Sequence, residues 1–417
     1  MKRRTYVSTI GSSIAALSLA GCSGSDGGDG DGGDGTSEST PTPEPTYEVD
    51  QEAPARLKLL SVNGPKEVAF GDTIEGDVTA VNVGGEPISG NATIEFVHSE
   101  SANTEPQTVT VNADGLASGE EVSHSYRVDA EYAGAWAFEP SSDFYTVDDT
   151  VTSTVSVLPK RGSTGETIEL ASGVQATVSD MSYEQMIAYE LPSGERALGD
   201  NTVHAIRETV SDNILLILSV TFENGTGEAK TVSKDDFVVP ESSFVSESAA
   251  GRDGTNAAGE NINPGQTYSG HLIYAVPKAK IDDLAFGINL AEGSAVADIE
   301  IPLQSPGGFP EFELANIDVP PEDVTGDEAI VEMEVENVGD SAGMFKSIFE
   351  FKTPEEPGIL AGYSADTWYI DSDGPYTQRI PAGETRTIEL VTEPDADRRW
   401  DYRTTPFGAE WTFEAVE

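Results

Sequence analysis

From residue 54 onward apolar and polar positions alternate with period two, and Gly, Pro, Asn and Asp break the alternation at short intervals. This is the pattern of half-buried strands joined by tight turns. Val331, Met333 and Val335 fall on one face of a strand, and Glu332, Glu334 and Glu336 on the other. Val151, Val155 and Val157 alternate in the same way with Thr150, Thr152, Thr154 and Ser156. The wholly apolar run ILLIL at 214–218 has the length of one buried strand. Trp136-Ala137-Phe138 and Trp411-Thr412-Phe413 read as paired core positions. Helical periodicity is confined to 183–188 and parts of 197–209. The expected fold is all-β, with three consecutive immunoglobulin-like antiparallel β-sandwiches.

An internal repeat supports three units. Val81-Asn82-Val83-Gly84, Phe222-Glu223-Asn224-Gly225 and Glu336-Asn337-Val338-Gly339 each close a strand with an Asn/Gly turn. Later in each unit a second turn follows, at Leu116-Ala117-Ser118-Gly119-Glu120, Ile262-Asn263-Pro264-Gly265-Gln266 and Ile380-Pro381-Ala382-Gly383-Glu384. Glycine at those corners suits backbone angles that other residues resist. Both turns recur in the same order three times, which sets expected units at 54–159, 160–304 and 305–417.

On these residues the outer units resemble the cell adhesion related domain found in bacteria. The middle unit, with ILLILSVTFENGTGEAKTVSKDDFVV and then INPGQTYSGHLIYAVP, resembles an immunoglobulin-like domain of unknown function common in exported lipoproteins. As a whole the chain is similar to haloarchaeal surface lipoproteins. These resemblances imply a sandwich fold and a surface setting, and bring no catalytic residue with them.

The segment ahead of the repeats carries an address. Residues 1–22, MKRRTYVSTIGSSIAALSLAGC, run from a basic start through a short, weakly apolar stretch to Leu19-Ala20-Gly21-Cys22. The apolar part is too short to span a bilayer, which takes about 20 residues. Its end resembles a lipobox, implying a signal peptide at 1–21 and lipid on the Cys22 thiol. Arg3-Arg4 followed by Thr5-Tyr6-Val7 resembles a twin-arginine signal, implying export in the folded state. Residues 22–53 then read as a flexible acidic Gly/Ser/Thr/Pro tether that cannot bury enough apolar surface to fold. A flexible chain of that length reaches roughly 30 Å. The expected location is the outer face of the cell membrane.

Charge narrows the partners. The chain has 417 residues, 23 Lys plus Arg against 74 Asp plus Glu, and a net charge of −51. Such a surface repels nucleic acid and anionic headgroups. The acids are spread among Val, Ile, Phe, Tyr and Trp rather than gathered in a tail, so they read as the solvated face of a folded, halophilic protein. Cys22 is the sole cysteine, which leaves the sandwiches without disulfide, thiolate nucleophile or cysteine metal site.

No catalytic constellation is legible, and the expectation is a non-enzyme without cofactor. His98, His124, His204 and His271 show no metal-ligand spacing, and three of them (all but His204) fall in expected strands, as ordinary surface or edge residues. The loop 353–379 gathers Tyr363, Trp368, Tyr369 and Tyr376 with Asp366, Asp371 and Asp373. Aromatics beside carboxylates can stack a sugar or hold calcium. The same Trp368 and Tyr369 read first as a plug at a sandwich edge. The segment MSYEQMIAYELP, 181–192, suits either a partner loop or a cap on the sandwich core. Asn91-Ala92-Thr93 and Asn224-Gly225-Thr226 are glycosylation triplets, with Asn224 also serving the repeated turn. Envelope proteins or glycans are the expected partners; the alternative is an accessory lipoprotein that binds a solute, glycan or cation.

The charge generates a first prediction. Molar salt shortens the Debye length to roughly 3 Å and screens the surface repulsion. The melting temperature will fall steeply as KCl or NaCl is lowered from molar to dilute, and a salt-independent value would refute the halophilic reading.

Overall fold

The computed structural model describes residues 47–99, 104–140, 144–147, 154–191, 203–210, 212–247, 249, 256–290, 296–319, 323–325, 329–352, 368–370, 375–392 and 399–416. Cys22, Arg3 and Arg4 lie outside them. Glu48–Glu417 forms one compact unit. Its strands pair mostly antiparallel, with a few short parallel pairs such as Glu67–Ala69 with Thr154–Leu158, in sheets drawn from three successive stretches of chain. The fold is all-β and of immunoglobulin-like sandwich character. Among the described residues the only helical turns are two 3₁₀ segments, Lys234–Asp236 and Lys278–Asp283.

In the first stretch, Thr73–Asn82 lies between Leu57–Asn63 and Glu121–Asp129 in one sheet. The facing sheet runs from Glu67–Ala69 through Thr154–Leu158, Gly134–Pro140 and Ala92–His98 to Gln107–Val111. Ile74, Val78, Phe96 and Trp136 are buried between the two sheets. In the third stretch, Ala329–Asn337 lies between Phe312–Asp318 and Thr385–Thr392. Val331, Met333 and Val335 are buried there, while Glu332 and Glu334 are exposed. The facing sheet centres on Gly343–Lys352 and Arg399–Thr405.

The middle stretch is the most apolar. Asn213–Asn224 runs between Val174–Glu184 and Thr267–Pro277. Ile214, Leu216 and Leu218 join the main core, while Leu215 and Ile217 face a second cluster with Ile187, Val245 and Ile273. The run ILLIL is thus covered on both faces, which explains the lack of alternation. Part of that cover is a hairpin of Met186–Glu190 with His204–Glu208. The helix expected at 183–188 is therefore strand. Tyr183 and Glu184 end the ladder opposite Leu216 and Leu215, and sheet pairing overrides the helical propensity of Gln185, Met186 and Ala188. Of 197–209, the described part 204–208 is strand as well.

The repeated asparagines occupy one and the same structural position. Asn82, Asn224 and Asn337 are completely buried. Each Nδ2 donates twice to backbone, once to the residue four ahead and once to the residue opening the second turn. The acceptors are Glu86 (2.8 Å) and Leu116 (3.0 Å), Glu228 (2.8 Å) and Ile262 (2.7 Å), Ser341 (2.8 Å) and Ile380 (2.9 Å). Each Oδ1 accepts from the backbone N–H two residues on, at Gly84, Thr226 and Gly339. Main-chain bonds complete the clasp. The N–H groups of Gly119, Gly265 and Gly383 donate to the carbonyls of Asn82, Asn224 and Asn337 at 2.7–2.8 Å. Those glycines have φ between 69° and 77°, the left-handed region that the second turn requires.

The clasp also captures what precedes each outer sandwich, because Asn82 Oδ1 accepts from Arg56 N–H and Asn337 Oδ1 from Glu311 N–H. The tether expected through residue 53 meets the fold earlier. Asp50 N–H donates to Val83 O, Gly85 N–H donates to Ala53 O, and Ala53 is buried.

Two buried junctions join the three stretches. Asp298, fully buried, accepts from Ala133 N–H of the first stretch and Leu290 N–H of the second. Phe70 packs against both cores. At the other junction Met186 sits in the core of the third stretch, and Gln185 Oε1 accepts from Phe312 N–H at 3.0 Å. There Lys346 Nζ pairs with Glu184 in a largely buried contact.

Replacing any clasp asparagine by Ala removes a hydrogen bond to one buried carbonyl, another to a part-buried carbonyl, and the acceptor for the N–H two residues on, at about 0.5–1.5 kcal/mol each. Asn82→Ala, Asn224→Ala and Asn337→Ala should each cost roughly 2–4 kcal/mol, read from the first unfolding transition in urea at fixed high salt. Asn→Asp should do no better, since it sets an acceptor against two carbonyl oxygens.

Candidate functional site

A cleft of about 780 Å³ opens where the middle and third stretches meet. One wall is the end of Val174–Glu184, carrying Ser179, Asp180, Met181, Ser182 and Tyr183. Arg161, Ser163 and Thr164 form a second wall, and Gln304, Ser305 and Pro310 belong to the segment that crosses to the third sandwich. Ser341 and Ala342, from the Asn337 turn, close the far side.

Each wall is held by bonds already described or by local ones. A bulge at Val178–Asp180 shifts the register against Asn213–Asn224 and turns Ser179 and Asp180 outward, both exposed. The 163–166 turn is tied by Glu166, whose carboxylate accepts from Lys160 Nζ (3.0 Å) and Ser163 N–H (3.2 Å). Those two bonds, with the Lys160 charge, hold the Glu166 pKa below the ordinary carboxylate value. Ser305 N–H donates to Asp282 at 3.0 Å. On the far side, Asn337 fixes Ser341 through its carbonyl, and a Cβ at Gly339 would collide with the Phe309 carbonyl.

The chemistry inside is polar and of mixed sign. Arg161 brings a guanidinium and Asp180 a carboxylate, and neither side chain is engaged in an ion pair or hydrogen bond among the described residues. Tyr183 packs its ring on the middle core and edge-on against Phe309, with centroids 5.7 Å apart. Its hydroxyl is buried beside the Gln304 backbone without a hydrogen bond of normal geometry. Burial pushes its pKa up to about 12.

The described part of the segment 181–192, residues 181–191, therefore does several things at once. Met181 and Tyr183 cap the middle core and line the cleft, while Gln185 and Met186 dock the third sandwich. Of the lining residues missed in the sequence, Arg161 ends the short strand Lys160–Arg161, Ser163 and Thr164 lie in the turn after it, and Ser341 follows the repeated Asn337 turn.

Of the loop 353–379, Tyr363, Asp366, Asp371 and Asp373 lie outside the described residues. Trp368 and Tyr369 sit in a short strand, Trp368–Ile370, paired to Gly343–Lys352. The Arg403 guanidinium covers Trp368 at 4.5 Å and donates to the buried Glu350 carboxylate at 2.6 Å. Tyr376 donates its hydroxyl to Val391 O at 3.2 Å. These three aromatics serve the framework.

Two further expectations are corrected. His98 and His271 are buried, not superficial. His98 Nε2 lies 2.7 Å from Ala133 O, and His271 Nε2 accepts from Ala249 N–H at 2.9 Å. Asn224 has both amide hydrogens committed to the clasp, which withdraws it as a glycosylation acceptor in the folded chain, whereas Asn91 is exposed. Among the described residues no cluster of three or more His, Cys, Asp or Glu could hold a metal ion, and no helix is long and apolar enough to cross a membrane.

These features define a chain of β-sandwiches with a polar cleft at one junction. Residues 171–295 match the model of a domain of unknown function, DUF4352, so the middle stretch is similar to that family. No curated protein matches. Among solved structures, Escherichia coli alpha-2-macroglobulin activated by porcine elastase is 10% identical, covering 87% of this chain and 44% of its own, with a TM-score of 0.17. A Salmonella alpha-2-macroglobulin mutant is also 10% identical over 87% of this chain and 33% of its own, at 0.14. The chain thus spans less than half of either, and TM-scores this low carry no argument.

The buried tyrosines generate an alkaline prediction. Tyr126 and Tyr183 keep their protons to about 12, chiefly because burial disfavours the phenolate, whereas unfolded tyrosines ionise near pH 10. Their contribution is complete below pH 10 and disappears as the pH rises to about 12. Stability measured by urea titration should decline across that window, and less so in Tyr183→Phe.

Proposed function

We propose that this chain is a lipid-anchored, non-catalytic protein of the outer cell surface, a structural or interaction module facing envelope proteins or glycans at high salt. The observation that carries this reading is the leader 1–22 with its lipobox-like Leu19-Ala20-Gly21-Cys22, followed by an acidic spacer and a run of sandwiches. The anchor is one lipid on Cys22, and the Arg3-Arg4 pair directs export of the folded protein. The sandwich character and the middle-stretch match to DUF4352 support the reading without naming a partner.

The packing fits a module that presents surfaces. The conspicuous buried polar groups hold sandwiches together: three asparagines inside units, Asp298 and Gln185 between them. Exposed Asn91 offers an attachment point for sugar that would leave the clasp intact. The alternative, an accessory lipoprotein binding a solute, glycan or cation, is favoured by one observation, the polar cleft.

The test is in-situ crosslinking on intact cells at native salt, followed by affinity purification and mass spectrometry. The expected result is one or two envelope proteins enriched with the wild-type chain and lost with Cys22→Ser, which is shed into the medium. Membrane retention of Cys22→Ser would overturn the lipid-anchor reading.

A further inference from the structure

We infer that the cleft between the middle and third sandwiches binds a neutral, polyhydroxylated ligand: a glycan. The inference deepens the surface-module reading by naming a partner class, and rests on it only for the source of the glycan.

Four features of the cleft converge on this chemistry. Its volume, about 780 Å³, falls in the range of roughly 300–1,000 Å³ typical of small-molecule sites. Ser163 and Thr164 bring hydroxyls able to donate and to accept, and Ser179, whose hydroxyl donates to Ser219 O, brings an acceptor. Arg161 and Asp180 supply a pure donor and a pure acceptor, the pair that a vicinal diol satisfies from both sides. The Tyr183 ring lines the cleft and offers an aromatic surface to the C–H face of a sugar, while its hydroxyl is buried beside the Gln304 backbone.

Other ligand classes fit the same walls poorly. A hard cation seeks several oxygen ligands with charge among them, and Asp180 is the one carboxylate among the lining residues. A polyanion would meet a chain of net charge −51 with a single lining guanidinium to offset it. An apolar ligand would strip water from Arg161 and Asp180 without return. A neutral sugar meets none of these penalties. Its hydroxyls answer the polar walls, and its C–H face can lie on the half-buried Tyr183 ring.

The walls are also preformed. Asn337 holds the Ser341 turn, Asp282 holds Ser305, and Glu166 holds Ser163. Little ordering entropy therefore remains to oppose binding.

The test uses the full chain carrying Cys22→Ser, purified in molar KCl, with maltose, cellobiose, N,N′-diacetylchitobiose and mannobiose as probes at millimolar concentration. Melting temperature and saturation-transfer NMR are the readouts. At least one disaccharide should raise the melting temperature by about 2–4 °C and show transfer to its ring protons. Arg161→Met and Asp180→Asn should each weaken binding about tenfold or more while leaving the ligand-free melting temperature unchanged, since both side chains are exposed. Tyr183→Phe, which keeps the ring and removes only the buried hydroxyl, should leave binding unchanged. Absence of any response across the panel overturns the inference, as does binding that survives both substitutions. Stabilisation by calcium chloride alone, abolished by Asp180→Asn, overturns it in favour of a cation site. Because the measurement is made on purified protein, its failure is separate from a failure of the surface reading, which would show as membrane retention of Cys22→Ser in cells.

Discussion

A primary carboxamide carries two N–H donors and a carbonyl with two lone pairs, so one asparagine can tie four backbone groups together. The fold uses this at Asn82, Asn224 and Asn337, each buried at the end of a long strand. At each site the amide joins the strand end to its own turn and to a second turn far along the chain. The outer two also seize the segment entering the sandwich, at Arg56 and Glu311. In the middle unit Asn224 Oδ1 instead accepts both the N–H and the hydroxyl of Thr226 within its own turn. Burying a polar amide is costly unless every group is paired, and here the pairing is complete. The rest of the structure depends on this because the clasp sets where one sheet ends and the next segment begins.

A strongly acidic surface constrains how sandwiches can meet. Like charges brought together on two faces repel, so the junctions are built from backbone donors, apolar groups and one compensated pair. Asp298 is buried between two backbone N–H groups. Met186 leaves its own sandwich to enter the neighbouring core, and Lys346 meets Glu184 beside it. Such a buried pair contributes little net stability against an apolar substitute, but breaking one half is costly, which favours a single docking arrangement. The cleft is a by-product of that arrangement. Its walls belong to two sandwiches and to the crossing segment, and its far side is the Asn337 turn.

Much of the strand pattern was legible from residues alone. Alternation at 331–336 placed Val331, Met333 and Val335 inward, as found. The paired turns were visible too, and the glycines at 119, 265 and 383 have the positive φ their positions implied. What could not be read was that the two turns of each unit are bonded to each other through the asparagine. The same blindness made Asn224 look available for sugar and made His98 and His271 look superficial. Helix formers at 185–188 disguised a strand, because the partner that decides the matter, 204–208, lies across the residues between.

Local alternation encodes which face of a strand a side chain occupies, because the backbone geometry repeats every two residues. Turn chemistry is encoded locally for a similar reason: φ is a property of one residue and its neighbours. The sequence by itself therefore determined that this chain is all-β, where its turns fall, and that its surface is acidic. Whether a polar side chain is paired, orphaned or exposed depends on backbone groups supplied from distant segments. Only the tertiary structure decided that three asparagines became hubs, that Met186 belongs to its neighbour's core, and that Arg161, Asp180 and Tyr183 share one cleft with Ser341.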